Sequence, residues 1–132
     1  MKRTKKGIVL RTGRHWIKGA IFYSELFVSE DFPIVDRQAI TEHIDILDDF
    51  IGNKKMLFLS DVSTSDNILS FDALRVWGGN ESLNKHRLAE AFVVSSLADV
   101  YFFKQYIRLN DLAYQAKVFN DKKEAVNWLS EL

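Results

Sequence analysis

Leu88-Ala-Glu-Ala-Phe-Val-Val-Ser-Ser96 and Ala116-Lys-Val-Phe-Asn-Asp-Lys-Lys-Glu-Ala-Val-Asn-Trp-Leu129 carry most of the structural information in this chain. In each, an apolar run of strand length stops at polar residues with capping side chains, and a helical pattern starts at once. Ala89 to Ser95 reads as a buried strand, and Ser95-Ser96 cap a helix from Leu97 to about Leu109. Gln115 to Phe119 reads as the last strand; Asp121 and Glu124 then stand in capping-box spacing. Ala125, Trp128, Leu129 and Leu132 line one face of the closing helix. Two strand-to-helix steps in succession predict an α/β domain.

Working toward the N-terminus, Lys55-Met-Leu-Phe-Leu-Ser60 is a continuous apolar run, as a strand covered on both faces requires. A polar loop, Asp61-Val-Ser-Thr-Ser-Asp-Asn67, follows, and Ser70 starts a helix through Phe71, Leu74 and Trp77 that ends at Gly78-Gly79. Asn80 to Arg87 reads as a charged connection. Between Asp36 and Ile51 the residues Ile40, Ile44, Leu47 and Ile51 recur at helical spacing, with Asp36 as cap and Gly52-Asn53 as stop. Ile8 to Thr12 and His15 to Tyr23 form an entry hairpin around Thr12-Gly13-Arg14, with Gly19 as a bulge. Glu25 to Val35, with the sole proline Pro33, reads as loop with one short strand near Leu26 to Val28.

At 132 residues, 47% hydrophobic and 27% charged, the composition fits one domain over residues 1–132 with a single core. Residues 1–6 read as a flexible basic tail. The absence of cysteine excludes disulfides, thiolate metal sites and a cysteine nucleophile. Ile8-Val-Leu10 is too short for a secretory apolar segment, and no stretch reaches the roughly 20 apolar residues of a membrane span. A cytoplasmic protein without stable membrane association is expected. Net charge is zero, but residues 1–24 hold seven basic and no acidic side chains, and residues 25–66 hold ten acidic against three basic. The net balance, with no aromatics between Lys2, Arg3, Lys5 and Lys6, argues against a nucleic-acid partner.

The strand Ala89, Ala91, Phe92, Val93, Val94 and Ser96, the aromatic helix after it, and Lys117, Val118, Phe119, Asp121, Ala125, Trp128 and Leu129 together resemble small uncharacterised bacterial proteins of the SpoIIAA-like, or STAS-like, family. Leu57-Phe-Leu-Ser-Asp61 is similar to that family's preceding strand with its terminal Asp. The resemblance implies a central mixed β-sheet with about four helices packed against it, in a docking or switch module rather than an enzyme. It also implies a phosphorylation or switch position at Ser70, although the Asp before and Gly after the family's serine are absent from Ile68-Leu-Ser-Phe-Asp-Ala73. A more distant likeness to Sec14-type lipid carriers implies an apolar groove.

Each candidate site has a plainer reading beside it. Ser70 serves equally as a helix cap. Asp61, Ser63, Ser65 and Asp66 offer hard oxygen ligands beyond a strand end, and turn chemistry explains the same residues. His15, His43 and His86 lie in separate elements without metal-ligand spacing, so no metal or other cofactor is expected. No Gly-x-Ser-x-Gly elbow or other catalytic constellation is present, and an enzyme built on Asp61 and Asp66 is the weakest reading. The helix from Leu97 to Leu109 is apolar over more than one face, which predicts a homodimer through Tyr101, Phe102, Phe103 and Tyr106. The favoured function is a non-enzymatic regulatory or protein-interaction domain with a regulatory protein partner. The alternative is a small-molecule or lipid carrier lined by Trp16, Phe22, Phe71 and Trp77.

Overall fold

The computed structural model describes residues 7–10, 13–26, 36–63 and 69–132, and the backbone of residues 2–3. Its first strands are β1 (Lys2–Arg3), β2 (Gly7–Leu10), β3 (Gly13–Lys18) and β4 (Ile21–Leu26), each antiparallel to the next. Helix α1 (Arg37–Ile51) leads to β5 (Met56–Asp61), α2 (Phe71–Gly79) and α3 (Glu81–Asn84) to β6 (Arg87–Val93), and α4 (Leu97–Leu109) to β7 (Gln115–Phe119). Strands β4 to β7 are parallel, so the seven described strands form one mixed sheet in sequential order. Helix α5 (Lys122–Ser130) closes the chain.

Local chemistry explains the boundaries. Asp36, Ser70 and Ser96 each accept a backbone N–H three residues on, at 3.0 Å, which satisfies a donor that the first helical turn leaves open. Asp121 accepts from the Lys123 N–H at 3.0 Å, starting α5. Gly52 ends α1 at φ +71°, a conformation a Cβ would oppose.

The strand order decides where the helices go. Each parallel strand is laid beside its predecessor in the same direction, and right-handed crossovers then place every connecting helix on one face. Accordingly Ile40, Ile44 and Leu47 of α1, Leu74 and Trp77 of α2, Leu83 of α3 and Phe103 of α4 bury Phe22, Phe58 and Phe92 of the sheet. Each of those three phenyl rings contributes roughly 1.5–3 kcal/mol by leaving water. Helix α5 follows the edge strand, makes no crossover, and covers the opposite face, where Ala125 and Leu129 meet Leu59, Ala89, Ala91 and Val93. The small side chains of Ala89 and Ala91 let α5 sit close. Both faces of β5 are thus covered, as its unbroken apolar run requires.

The structure differs from the sequence reading at several points. The run from His15 to Tyr23 is two strands, because Gly19 at φ +61° opens a two-residue turn between the paired Lys18 and Ile21. Gly19 is therefore no bulge; the irregularity falls at Leu88, which the register skips between Arg87 and Ala89 and leaves 54% exposed. The connection after α2 contains α3, capped by Asn80 and anchored by the fully buried Leu83, so the described residues hold five helices rather than four. In the N-terminal segment read as a tail, Lys2 and Arg3 pair with Val9 and Ile8, and residues 1 and 4–6 lie outside the described residues. The strand expected near Leu26 to Val28 is the end of β4 as far as Leu26, and residues 27–35 are outside the description.

Candidate functional site

Glu90 is the side chain around which the interior is organised. It lies in β6 on the α1–α4 side, in register between Phe58 and Ala116, and is fully buried. Oε2 accepts hydrogen bonds from the Ser60 hydroxyl at 2.6 Å and the Trp77 indole N–H at 2.7 Å. Oε1 accepts from Arg87 Nη1 at 2.7 Å, and neither side chain of this ion pair is exposed. Arg87 Nη1 also donates to the Tyr114 hydroxyl at 2.9 Å, and Nη2 donates to the Trp77 carbonyl at 2.7 Å. The guanidinium lies 4.3 Å from the Tyr114 ring centre and 4.9 Å from that of Phe58. Such a pair replaces water by several fixed donors and rings, which is what a buried charge needs to persist.

Two tyrosines seal the far side. The Tyr106 hydroxyl donates to the Leu74 carbonyl at 2.8 Å, tying α4 to α2. Burial, and then the charge of Glu90, push the Tyr106 and Tyr114 hydroxyls well above the ordinary tyrosine range, so both stay protonated. Helix α2 can approach only because residue 78 has no side chain: a Cβ there would fall 2.0 Å from the Tyr106 hydroxyl and 3.0 Å from Leu112. Gly78→Ala is expected to lower unfolding free energy by about 1–3 kcal/mol, read by urea denaturation, because the hydroxyl must leave its Leu74 partner. A change below about 0.5 kcal/mol would show that α2 shifts freely.

The polar set continues across the sheet. His15, Ser24 and Ser60 are register neighbours on β3, β4 and β5, and all three are buried. His15 Nδ1 lies 2.8 Å from Ser24 Oγ, and the imidazole stacks on Phe22. Burial first, and the neighbouring His43 second, lower the His15 pKa to about 3, so the ring is neutral over the physiological range. A ladder from His15 to Tyr114 therefore crosses an otherwise apolar core. His15 with Ser24, and Ser60 with Glu90, Trp77, Arg87 and Tyr114, form two hydrogen-bonded sets along it.

The residues singled out in the sequence lie elsewhere. Ser70 caps α2 in an open groove shared with Asp36, Arg37, Glu42 and Asp72. A phosphate there would meet three carboxylates and one guanidinium, a setting that repels it. Asp61 is 7% exposed and accepts hydrogen bonds from the backbone N–H and hydroxyl of Ser63, which is turn chemistry. Ser65 and Asp66 lie outside the described residues. Among the described residues no group of three or more His, Asp or Glu side chains is placed to hold a metal ion.

The aromatic helix divides into two sets. Phe103 and Tyr106 are core, at 3% and 0% exposure, so a dimer surface through them is corrected to an internal contact with Phe92. Tyr101 is 68% exposed and Phe102 is half-buried, packed edge-on against Phe71. The proposed groove lining is not assembled either: Phe22 and Trp77 are core on one face, and Trp16 stacks on Tyr23 on the other.

Glu90, Arg87 and Tyr114 are absent from the sequence-derived candidates, yet one signal was available. Glu90 is the only charge inside Ala89 to Val94, and strand alternation puts it on the same side as Phe92 and Val94.

A mixed sheet with its crossover helices on one face and a closing helix on the other defines a SpoIIAA-like α/β domain. The chain is similar over 93% of its length to the crystal structure of an uncharacterized protein of the DUF3478 family with a SpoIIAA-like fold from Shewanella loihica PV-4. That match covers 90% of the other chain, with a TM-score of 0.54 at 14% identity, and it establishes the fold alone. Residues 15–132 match the model of the family described as Domain of unknown function (DUF7793), and the chain belongs to that family. No curated protein matches in sequence.

Proposed function

We propose that this chain is a non-enzymatic regulatory or protein-interaction domain that acts as a homodimer through the outer face of α4. The observation that carries the reading is the exposure of Leu97, Tyr101 and Leu109, at 85%, 68% and 67%, on one helix. Large apolar side chains exposed on one helix favour a partner. Leu97, Tyr101, Lys104 and Arg108 follow one another at steps of four, three and four and are all exposed. In an antiparallel pair of α4 helices, Tyr101 of each copy would face Lys104 of the other, a cation–π contact made twice by one two-fold axis. A chain of zero net charge meets its own copy without net repulsion. The same balance, and the absence of cysteine, support a cytoplasmic role on protein rather than nucleic acid or lipid. Among the described residues no helix is long and apolar enough to cross a membrane.

Size-exclusion chromatography with light scattering is expected to give the mass of two chains at micromolar concentration. Leu97→Glu with Tyr101→Glu is expected to give one chain with unchanged circular dichroism, since both residues are exposed. A wild-type monomer would remove the dimer. Among the described residues the cavity beneath α1 and α2 holds about 20 Å³, against roughly 300–1,000 Å³ for ligand pockets, which favours the interaction reading over the carrier. Extra mass in native mass spectrometry, lost on organic extraction, would favour the carrier.

A further inference from the structure

The sheet is covered unequally on the α5 side. Trp16, Tyr23 and Leu59 are register partners on β3, β4 and β5, so they share the face on which α5 packs. Helix α5 spreads over β5, β6 and β7, and among the described residues no other helix joins it there. Over β2 to β4 the same face stays open: Val9 is 40% exposed, Arg14 and Lys18 are exposed, and Trp16 is half-buried. Strand alternation puts Arg14 and Lys18 on the Trp16 side, and Val9 is the register partner of Arg14.

The indole of Trp16 is the centre of a cationic group on this open half. It stacks parallel on the Tyr23 ring, with centres 5.2 Å apart. Lys122 Nζ, reaching over from the first turn of α5, lies 5.5 Å from both ring centres, and Arg14 Cζ lies 5.9 Å from the indole. On the β2 side the partner of Trp16 is Gly7, which brings no side chain against the ring. Arg14 is paired with Glu25, but among the described residues Lys18 and Lys122 have no carboxylate within ion-pairing distance.

Charge complementarity selects the occupant. Residues 1–26, which contain β1 to β4, hold seven basic side chains against the single acid Glu25. The acids that balance them include Glu42, Asp45 and Asp49, exposed on α1 across the sheet, so the field of the molecule draws negative charge to the open half. A single-stranded nucleic acid would need free ring faces for its bases, and Tyr23, covered by Trp16 and Lys122, is only 9% exposed. A second copy presenting α1 would make a head-to-tail contact that does not close. We infer that the open half of the sheet is a docking surface for an acidic segment of a different protein, whose carboxylates meet Lys18 and Lys122 and whose apolar side chain lies on Val9 and Trp16. This surface and α4 are on opposite sides of the sheet, so the inference does not depend on the self-association proposed above.

Nuclear magnetic resonance titration of the intact, isotope-labelled chain tests it, with a synthetic peptide of glutamates around a central leucine as probe. The Trp16 indole N–H signal is expected to move, while that of Trp77, bonded to the buried Glu90, stays in place. Binding is expected to weaken about tenfold when salt is raised to about 0.5 M. Lys18→Glu with Lys122→Glu, both exposed, is expected to keep the circular dichroism of the wild type and to lose at least about tenfold in affinity. A still Trp16 signal at millimolar peptide would overturn the surface, as would an equal response to a peptide of lysines around leucine. Tighter binding of oligothymidylate would assign the face to nucleic acid instead, and a Trp16 shift that follows protein concentration without peptide would assign it to a second copy. If the double variant fails to fold, the wild-type comparison of the acidic and basic peptides decides the question. None of these results changes the mass expected for the α4 dimer, so the two readings fail separately.

Discussion

Arg87→Met is expected to lower the unfolding free energy by about 3–5 kcal/mol, because it leaves the Glu90 carboxylate buried without its counter-charge. Glu90 is fully buried, and the Ser60 and Trp77 hydrogen bonds that remain are dipoles, not a charge. Glu90→Leu is expected to cost a similar amount from the other side, stranding a guanidinium among Phe58, Trp77 and Tyr114. Against a total stability of about 5–15 kcal/mol, either change takes a large share of the folded margin. The double variant is expected to be less damaged than the sum of the singles by about 1–3 kcal/mol, since the two losses share one interaction. It should not return to wild type, because Ser60 and the Trp77 indole lose their acceptor. Urea denaturation of the four proteins reads the cycle directly. Additive losses would mean that the two side chains are stabilised separately and that the ladder is not a unit.

The second large effect is on acid stability. The folded chain takes a proton on His15 only near pH 3, whereas an unfolded histidine takes it near 6.5. Between those values the unfolded state binds more protons, so folding is fully stable above pH 6.5 and loses stability as the pH falls. The loss amounts to about 2 kcal/mol between pH 6.5 and 5, and to roughly 4–5 kcal/mol by pH 3. The informative quantity is the difference between wild type and His15→Phe. The variant is expected to lack the part of the slope that lies between pH 6.5 and 5. Parallel slopes for the two proteins in that interval would show that His15 is hydrated and charges normally.

These effects come from side chains that only partly announced themselves. The helices α1, α4 and α5 were legible because their caps and periodicities are local: Asp36, Ser96 and Asp121 each act within three residues. Strand β5 was legible from its unbroken apolar run, and β6 and β7 from shorter apolar stretches followed by capping residues. The turn at Gly19 was misread because aromatic and β-branched residues flank it on both sides and simulate one strand. Helix α3 was missed because its four residues carry almost no periodic signal; Asn80 as cap and Leu83 as anchor specify it.

The interior site lay beyond that local grammar. Arg87 and Glu90 are three apart on one strand, but Tyr114 and Trp77 reach them from other elements. The aromatic side chains of α4 illustrate the same limit. Composition shows a surplus of rings but not which ones the sheet will take, and the packing angle assigns Phe103 and Tyr106 to the core and Tyr101 to the surface.

By itself the sequence determined the class of fold and the positions of its main helices, because caps, turns and hydrophobic periods act over a few residues. Tertiary structure alone decided that His15, Ser24 and Ser60 stand side by side and that Glu90 faces Arg87 in the interior. The physical reason is that strand register and helix approach are settled by the simultaneous packing of residues 30 or more positions apart, such as Ser60 with Glu90 and Leu74 with Tyr106, and no local window contains both partners.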